Sequence, residues 1–361
     1  MPLIIDGKSV PSRWAERASE NTNSRTANFI ESRFRPDECV SLALVNNMPD
    51  PALEDTELQF FELLDIASGD LPVILRLYSL TGVPRTDRGQ RHLNSFYYNC
   101  DDLWQTRLDG LIITGTEPHQ PNLPDEPYWS ALTQLFDWAE QNTFSTVLSC
   151  LAAHASVLHG DGIGRVRLPD KQFGVFESMK GLDHALTSGN LERFRFPHSR
   201  WNEVRVEELE AYGYDVLTKS AEAGADLFVK KRKRSLFVHF QGHPEYGALT
   251  LLKEYRRDIK RFLARERETY PTMPAGYFGS TSTHLLSAFR EKALSSRREE
   301  IMDFFPEAAV VNGLQNGWHA SATCIYRNWL QYVISRKADT AAFAQVAAFS
   351  SQVQRNPYTV S

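Results

Sequence analysis

The sequence of 361 residues contains little cysteine and no long apolar run. Its 4 cysteines are scattered, with no CxxC pair and no zinc-ligand spacing, so we expect free thiols and no metal site. No stretch approaches the roughly 18 consecutive apolar residues of a membrane-spanning helix, so the sequence predicts no association with a membrane. Because the N-terminus also lacks a basic segment followed by an apolar one, we expect a reduced, cytoplasmic protein.

An excess of positive charge is also missing. The formal net charge is -5, which argues against nucleic-acid binding through bulk positive charge. The basic run at residues 230–234 lies between strand-like stretches at 226–229 and 235–239, so we expect a solvated hairpin turn there. The sequence does contain 42% hydrophobic residues, which is enough to form a sizeable core.

Apolar runs with strand-like and helix-like spacing alternate along the first half of the chain. Strands are predicted at residues 40–45, 72–78, 109–115 and 146–149, and helices at 53–66, 128–142 and 152–158. This alternation predicts an α/β fold with a doubly wound, mostly parallel sheet. Further helices are predicted at residues 254–268, 283–304 and 322–335. Functional side chains in such sheets lie just past the carboxyl ends of the strands.

The chain organisation that we predict is one α/β domain over residues 39–340. A polar arm at residues 1–38 precedes this domain, and a tail at residues 341–361 follows it. The sequence shows no internal repeat and no linker between domains.

Cys150 lies where a predicted strand meets a predicted helix. A strand-to-helix turn of this kind is a nucleophile elbow, and the positive end of the helix dipole favours a thiolate there. His243 and Glu245 follow another apolar stretch, and they could supply a general base and its orienting carboxylate. The three residues together predict a triad for nucleophilic acyl transfer or hydrolysis.

Ten segments, taken in order, resemble the homoserine O-acyltransferases of methionine biosynthesis that have a class I glutamine amidotransferase-like fold, known as the homoserine O-succinyltransferase family. The similarity extends over about residues 27–335. The segments are residues 44–49, 55–60, 92–97, 109–115, 128–129, 145–155, 174–177, 197–200, 242–246 and 328–330. The resemblance implies that Cys150 forms an acyl thioester, that His243 is the general base and that Glu245 is its partner.

The resemblance also implies how the substrates bind. Lys171, Ser199 and Arg257 match substrate-binding positions of the family and suit an amino-acid acceptor. The implied reaction places an oxyanion hole at the backbone of Leu151 and Thr116. Acyl-CoA is then a co-substrate, the second substrate is homoserine or a related hydroxy amino acid, no bound cofactor is needed, and a homodimer is expected.

Four features depart from the family pattern. Asp50 and Pro51 stand where the family commonly has two lysines, and Leu151 stands where a tryptophan is usual. His119 occupies the position that sorts acyl donors, where the family has Glu or Gly. A segment at about residues 283–310 is extra. Since a protonated or hydrogen-bonding His119 could pair with a succinyl carboxylate, we expect succinyl-CoA as the donor.

Other readings of the same residues remain open. The chain could use acetyl-CoA, or it could acylate another hydroxy amino acid. It could also release ammonia from glutamine, or be a non-catalytic relative. Each site residue, taken alone, also has an ordinary structural explanation, such as a buried core thiol, a core histidine or a surface lysine.

Overall fold

The computed structural model describes residues 3–7, 9–11, 13–16, 38–189 and 192–355, with side chains as far as residue 342. The described residues contain one ten-stranded sheet. Its strands are β1 (Leu3–Asp6), β2 (Val40–Val45), β3 (Val73–Tyr78), β4 (Gly110–Ile113), β5 (Ser145–Ser149), β6 (Val166–Lys180), β7 (Arg193–Glu203), β8 (Asp215–Ser220), β9 (Gly224–Arg232) and β10 (Ser235–Phe240).

The strands lie in the order β1-β3-β2-β4-β5-β10-β9-β8-β6-β7. The strands from β1 to β10 in this order pair in parallel with their neighbours. From β10 to β7 the sheet continues in antiparallel pairs. The predicted doubly wound, mostly parallel α/β sheet is therefore confirmed. The predicted hairpin is confirmed as well, because β9 pairs with β10.

Helices lie on both faces of the parallel part of the sheet and also against its antiparallel part. They are α1 (Asp50–Ser68), α2 (Asp87–Phe96), α3 (Cys100–Leu103), α4 (Trp129–Asn142), α5 (Leu151–Asp161), α6 (Val206–Ala211), α7 (Thr250–Leu263), α8 (Ser280–Ser295), α9 (Glu307–Asn312) and α10 (His319–Arg355). One core cluster joins α1 and α10 to the sheet, and another joins α4 and α5 to the opposite face. Strands covered on both sides read as nearly continuous apolar runs, which explains why residues 40–45 could be assigned from sequence.

The three helices predicted in the second half of the chain have other bounds than the sequence predicted. α7 begins at Thr250 and ends at Leu263, not near residue 268. The Arg297 side chain donates to the Phe262 carbonyl at 2.7 Å, and Arg265 has φ +66°, so a distant arginine meets the helix end. Residues 283–304, predicted as one helix, belong to α8 and to a separate 3-10 helix at Glu299–Phe304. α10 is longer than predicted at both ends.

Both ends of the chain carry regular structure that the sequence did not suggest. In the predicted polar arm, β1 pairs in parallel with Val73–Arg76 at the sheet edge, because Leu3, Ile4 and Ile5 are apolar and buried. In the predicted tail, residues 341–355 continue α10, and residues 356–361 lie outside the described part of the chain. Among the described helices, none combines the length and the apolar composition needed to cross a lipid bilayer.

The basic run at residues 230–234 is only partly a solvated turn. Lys230 and Arg232 lie in β9, and both form ion pairs with Asp161, the Lys230 contact measuring 2.8 Å. The turn itself is at Lys233, which has φ +45°. Ion pairs within the fold therefore neutralise part of the positive charge of the run.

Candidate active site

The predicted nucleophile elbow is present at Cys150. β5 ends at Ser149 and α5 begins at Leu151, so Cys150 alone makes the turn, with φ +52° and ψ -111°. Non-glycine residues rarely adopt a positive φ, and strain of this kind is stored at functional sites. The Cys150 amide donates to the Phe240 carbonyl at 2.8 Å, which ties the turn to β10. The thiol is therefore lifted above the sheet at the start of a helix.

The sheet topology brings His243 to this turn. β5 and β10 are parallel neighbours with Ser149 opposite Phe240, so the residues after each strand emerge at the same edge of the sheet. His243 Nδ1 lies 2.9 Å from Glu245 Oε1, and the Ser149 hydroxyl donates to the same oxygen at 3.2 Å. The structure therefore brings together the three residues of the predicted triad.

The charges around His243 favour its protonated form. Burial of the ring opposes a positive charge, but the negative charges of Cys150 and Glu245 outweigh it, and the pKa of His243 is raised well above its usual value. The ring also stacks on Tyr246, with centroids 4.2 Å apart. The arrangement is that of a cysteine beside an imidazole that a carboxylate orients.

A backbone loop after β4 lies against the first turn of α5. A Cβ added to Gly115 would lie 3.0 Å from the Leu151 nitrogen, so any side chain there would force the loop and the helix start a few tenths of an ångström apart. The Thr114 hydroxyl accepts from the Asn47 amide at 2.8 Å, which fixes the loop. The backbone next to Thr116 and the first amide of α5 are therefore neighbours, as the predicted oxyanion hole requires.

Glu126 shapes the same loop, and sequence reasoning missed it. This buried carboxylate accepts from the backbone amides of His119 at 2.6 Å and Gln120 at 2.7 Å. Glu126 therefore fixes the backbone of the loop, while His119 itself is exposed. The role of His119 in donor choice stays a prediction.

Asp50, at one of the two positions where the resemblance leads us to expect lysine, forms a part-buried ion pair. Asp50 Oδ1 lies 3.2 Å from Arg85 Nη1, and the Arg85 side chain is only 6% exposed. The same guanidinium donates to the Met48 carbonyl at 2.5 Å and the Asn46 carbonyl at 3.3 Å. Arg85 therefore fixes the backbone of residues 46–48, and Asn47 within this segment contacts the loop that carries Gly115.

The three predicted substrate-binding residues converge on a fourth residue, Glu254. The Ser199 hydroxyl donates to Glu254 Oε2 at 2.5 Å, Lys171 Nζ lies 3.3 Å from that oxygen, and Arg257 lies 3.8 Å from it. The Tyr246 hydroxyl donates to Glu254 Oε1 at 3.0 Å, which connects this cluster to the ring that stacks on His243. We call this group of two cations, one hydroxyl and a central carboxylate the acceptor cluster.

Sequence reasoning missed Glu254, although a signal was available. Its position is three residues before Arg257, which places both side chains on one side of α7. β6 and β7 pair with Phe173 opposite Ser199, and this pairing brings the neighbouring Lys171 to the same place. The register of this long antiparallel pair depends on tertiary contacts that a single sequence does not reveal.

A cysteine at a nucleophile elbow beside a His–Glu pair, on a doubly wound sheet, defines the class of enzymes that act through a covalent cysteine intermediate. Residues 22–340 match the family model described as homoserine O-succinyltransferase. The chain belongs to the homoserine O-succinyltransferase family.

Individual relatives agree with the family match. The homoserine O-succinyltransferase of Rhodopseudomonas palustris is 46% identical over 291 residues, which cover 81% of this chain and 87% of that protein. The one from Bradyrhizobium japonicum is 43% identical over 295 residues, covering 81% and 90%. Among solved structures, a glutamine amidotransferase from Thermotoga maritima covers 82% of this chain and 98% of its own, with a TM-score of 0.44 and 11% identity. That structural similarity is too low to add to the assignment.

Proposed function

We propose that the protein is a homoserine O-succinyltransferase of methionine biosynthesis, which transfers the succinyl group of succinyl-CoA to the homoserine hydroxyl. The observation that carries the proposal is the Cys150 elbow beside the His243–Glu245 pair, in a chain whose relatives bear that name. Succinyl-CoA is a substrate, and no bound cofactor takes part. A homodimer in the cytoplasm, as the family implies, belongs to the same proposal.

In the first half-reaction, the Cys150 thiolate attacks the thioester carbonyl of succinyl-CoA. The oxyanion that forms lies near the Leu151 amide and the backbone around Thr116, where hydrogen-bond donors stabilise it. The bond from the carbonyl carbon to the CoA sulfur then breaks, and the CoA thiolate takes the proton of the His243 imidazolium. CoA leaves, and succinyl-Cys150 and a neutral His243 remain.

In the second half-reaction, His243 takes the proton of the homoserine hydroxyl while its oxygen attacks the succinyl carbonyl. The bond to the Cys150 sulfur breaks, and O-succinylhomoserine leaves. This step restores the thiolate and the imidazolium, so protons balance over the cycle. Glu245 keeps the His243 ring in the orientation that both proton transfers need. Water must be kept from the acyl-enzyme, because hydrolysis would waste the succinyl group.

The cluster around Glu254 provides the charges that homoserine needs. Homoserine carries one ammonium and one carboxylate next to each other. Glu254 accepts the ammonium in this proposal, and Arg257 and Lys171 bind the carboxylate. Without substrate the two cations pair with Glu254 and Asp258, and homoserine exchanges these contacts for its own.

Glu254→Gln is expected to raise the KM for homoserine about 10- to 100-fold, because a neutral amide cannot pair with the ammonium. The rate of succinyl-enzyme formation without acceptor should change far less, since Glu254 is not needed for the first half-reaction. Steady-state kinetics and single-turnover acylation separate the two effects. Equal losses in both half-reactions would contradict the assignment.

Arg165 favours an acidic acyl group. It is partly buried, and it forms no ion pair or hydrogen bond with any residue that the structure describes. Burial lowers the pKa of its guanidinium, while interactions with Tyr128, Cys150 and Glu126 oppose the change, so the charge lies near the nucleophile. Burial and the neighbouring Glu126 carboxylate raise the pKa of the Tyr128 phenol, so its hydroxyl stays protonated and is able to donate a hydrogen bond. The two groups could bind the distal carboxylate of a succinyl group.

Arg165→Gln is expected to lower the ratio of kcat/KM for succinyl-CoA to that for acetyl-CoA by about 10- to 100-fold, because only the succinyl carboxylate loses a charged partner. Arg165→Lys should retain part of the preference. Arg167→Gln is the matched control, since Arg167 is exposed and stacks on Trp201 at 4.4 Å. An unchanged ratio in Arg165→Gln would remove this residue from donor choice.

The direct test of the function is release of CoA thiol from succinyl-CoA that depends on homoserine. Higher kcat/KM for acetyl-CoA would reassign the donor, and higher activity with another hydroxy amino acid would reassign the acceptor. Release of ammonia from glutamine without CoA would support a glutaminase. No reaction with any of these substrates, on folded protein, would support a non-catalytic relative.

A further inference from the structure

The outer face of α7 borders a groove of about 600 Å³, and of its lining residues only Arg257 has a role in the two half-reactions. Most of the side chains that line it are charged. They include five cations, Lys253, Arg256, Arg257, Lys260 and Arg261, and two carboxylates, in a chain whose formal net charge is -5. The groove is thus a local concentration of positive charge on an acidic protein.

Two cations of the groove have no counter-ion among the residues that the structure describes. Lys260 and Arg261 are exposed, and neither forms an ion pair with a residue in the described part of the chain. By contrast, Lys253 pairs with Asp55, and Arg256 pairs with Glu307. Neighbouring cations repel one another, so a groove with free cations favours an anion with several charges.

The groove begins where the acceptor cluster ends. Arg257 lines the groove and is also the cation of the acceptor cluster, with its side chain half exposed. Glu254, one helical turn earlier, contacts the Tyr246 hydroxyl and through it the ring that stacks on His243. From Glu254 to Arg261 the helix rises roughly 10 Å, so the free cations lie well outside the reacting atoms.

We propose that this groove binds the phosphate groups of the acyl-CoA donor, with Lys260 and Arg261 as the principal contacts. The inference rests on the proposed function, since it assigns a site to the part of the donor that does not react. CoA joins a diphosphate and a 3′-phosphate to a long flexible pantetheine arm that ends in the thioester. In this proposal the arm follows the line of contacts from Arg257 through Glu254 and Tyr246 to the His243 ring.

The order of the two half-reactions allows this shared entrance. CoA leaves before homoserine reacts, so Arg257 can face a phosphate during acylation and the homoserine carboxylate afterwards. The diphosphate and 3′-phosphate recur in every acyl-CoA, whatever the acyl group. The groove therefore contributes affinity for the donor, whereas contacts near Cys150 choose the acyl group.

The test compares two thioesters that carry the same acyl group. Succinyl-CoA has all three phosphates, and succinyl-N-acetylcysteamine has none. In the double variant Lys260→Glu/Arg261→Glu, kcat/KM for succinyl-CoA is expected to fall about tenfold or more, because two attractive charges become repulsive. kcat/KM for the phosphate-free thioester should stay within about twofold. The wild-type preference for succinyl-CoA should also decrease with added salt, since exposed charge pairs are screened.

The control is Arg91→Glu/Arg327→Glu, which changes the net charge equally on exposed positions of α2 and α10. This control should keep the wild-type preference for succinyl-CoA. Equal loss with both thioesters, or no loss with either, in the Lys260/Arg261 variant would overturn the proposed groove. Failure of the wild type to become acylated by either thioester would instead refute the proposed function.

Discussion

Replacement of Cys150 by alanine is expected to lower kcat for succinyl transfer by about 10⁴-fold or more, because the covalent half-reaction loses its nucleophile. The other three cysteines cannot substitute for it. Cys39 and Cys100 are buried in the core, and the Cys324 thiol lies against the Ser188 carbonyl at 3.6 Å. The measurement is homoserine-dependent release of CoA thiol.

The matched control for this prediction is Cys324→Ala, which removes the other partly exposed thiol. It should keep wild-type activity. Alanine at position 150 experiences the same positive φ as cysteine, so the elbow is expected to fold unchanged, which a thermal melt can check. Activity within tenfold of wild type in Cys150→Ala would exclude a Cys150 acyl-enzyme from the main reaction.

Glu245→Gln has the second-largest expected effect, a fall in kcat of about 10³-fold. Glu245 orients the His243 ring through a 2.9 Å contact, and its negative charge helps to raise the pKa of that imidazole. Glutamine keeps the shape of the side chain but lacks the charge. The ring therefore keeps a neighbour of the same shape but loses the charge that supports the imidazolium and selects its tautomer.

The direction of the pH effect follows from the sign of that charge. The pKa of His243 is raised in the wild type, against the effect of burial, by Cys150 and Glu245, so removing one of the two negative charges lowers it. Because acylation requires the imidazolium, the alkaline limb of kcat/KM for succinyl-CoA should move to lower pH in Glu245→Gln. The exposed Glu207→Gln is the control and should leave that limb in place. A limb that moves to higher pH would contradict the charge assignment.

The parallel part of the sheet and the elbow could be predicted from sequence because their signals are local. Residues 40–45 and 145–149 are short apolar runs bounded by turn residues, and Cys150 sits at the change from strand to helix. Parallel neighbours then meet at one edge, which is why His243 could be expected near Cys150 before any geometry was available.

The parts that sequence did not predict depend on distant contacts. α7 ends early where Arg297, more than thirty residues later, meets the Phe262 carbonyl. Glu126 was missed because no strand or helix pattern marks the short loop whose backbone amides donate to it. The spacing of Glu254 to Arg257 was visible in the sequence, but the Ser199 hydroxyl that donates to Glu254 lies 55 residues earlier and is brought there only by the fold. Arg165 was missed for the same reason, since it is fifteen residues from Cys150 in sequence.

The central claim is a succinyl thioester on Cys150, and intact-mass measurement tests it most directly. Wild type and Cys150→Ala are incubated with succinyl-CoA or acetyl-CoA in the absence of acceptor. The account predicts a succinyl adduct on wild type alone, which added homoserine discharges. An adduct that persists in Cys150→Ala, or folded wild type that gains no mass from either donor, would contradict it.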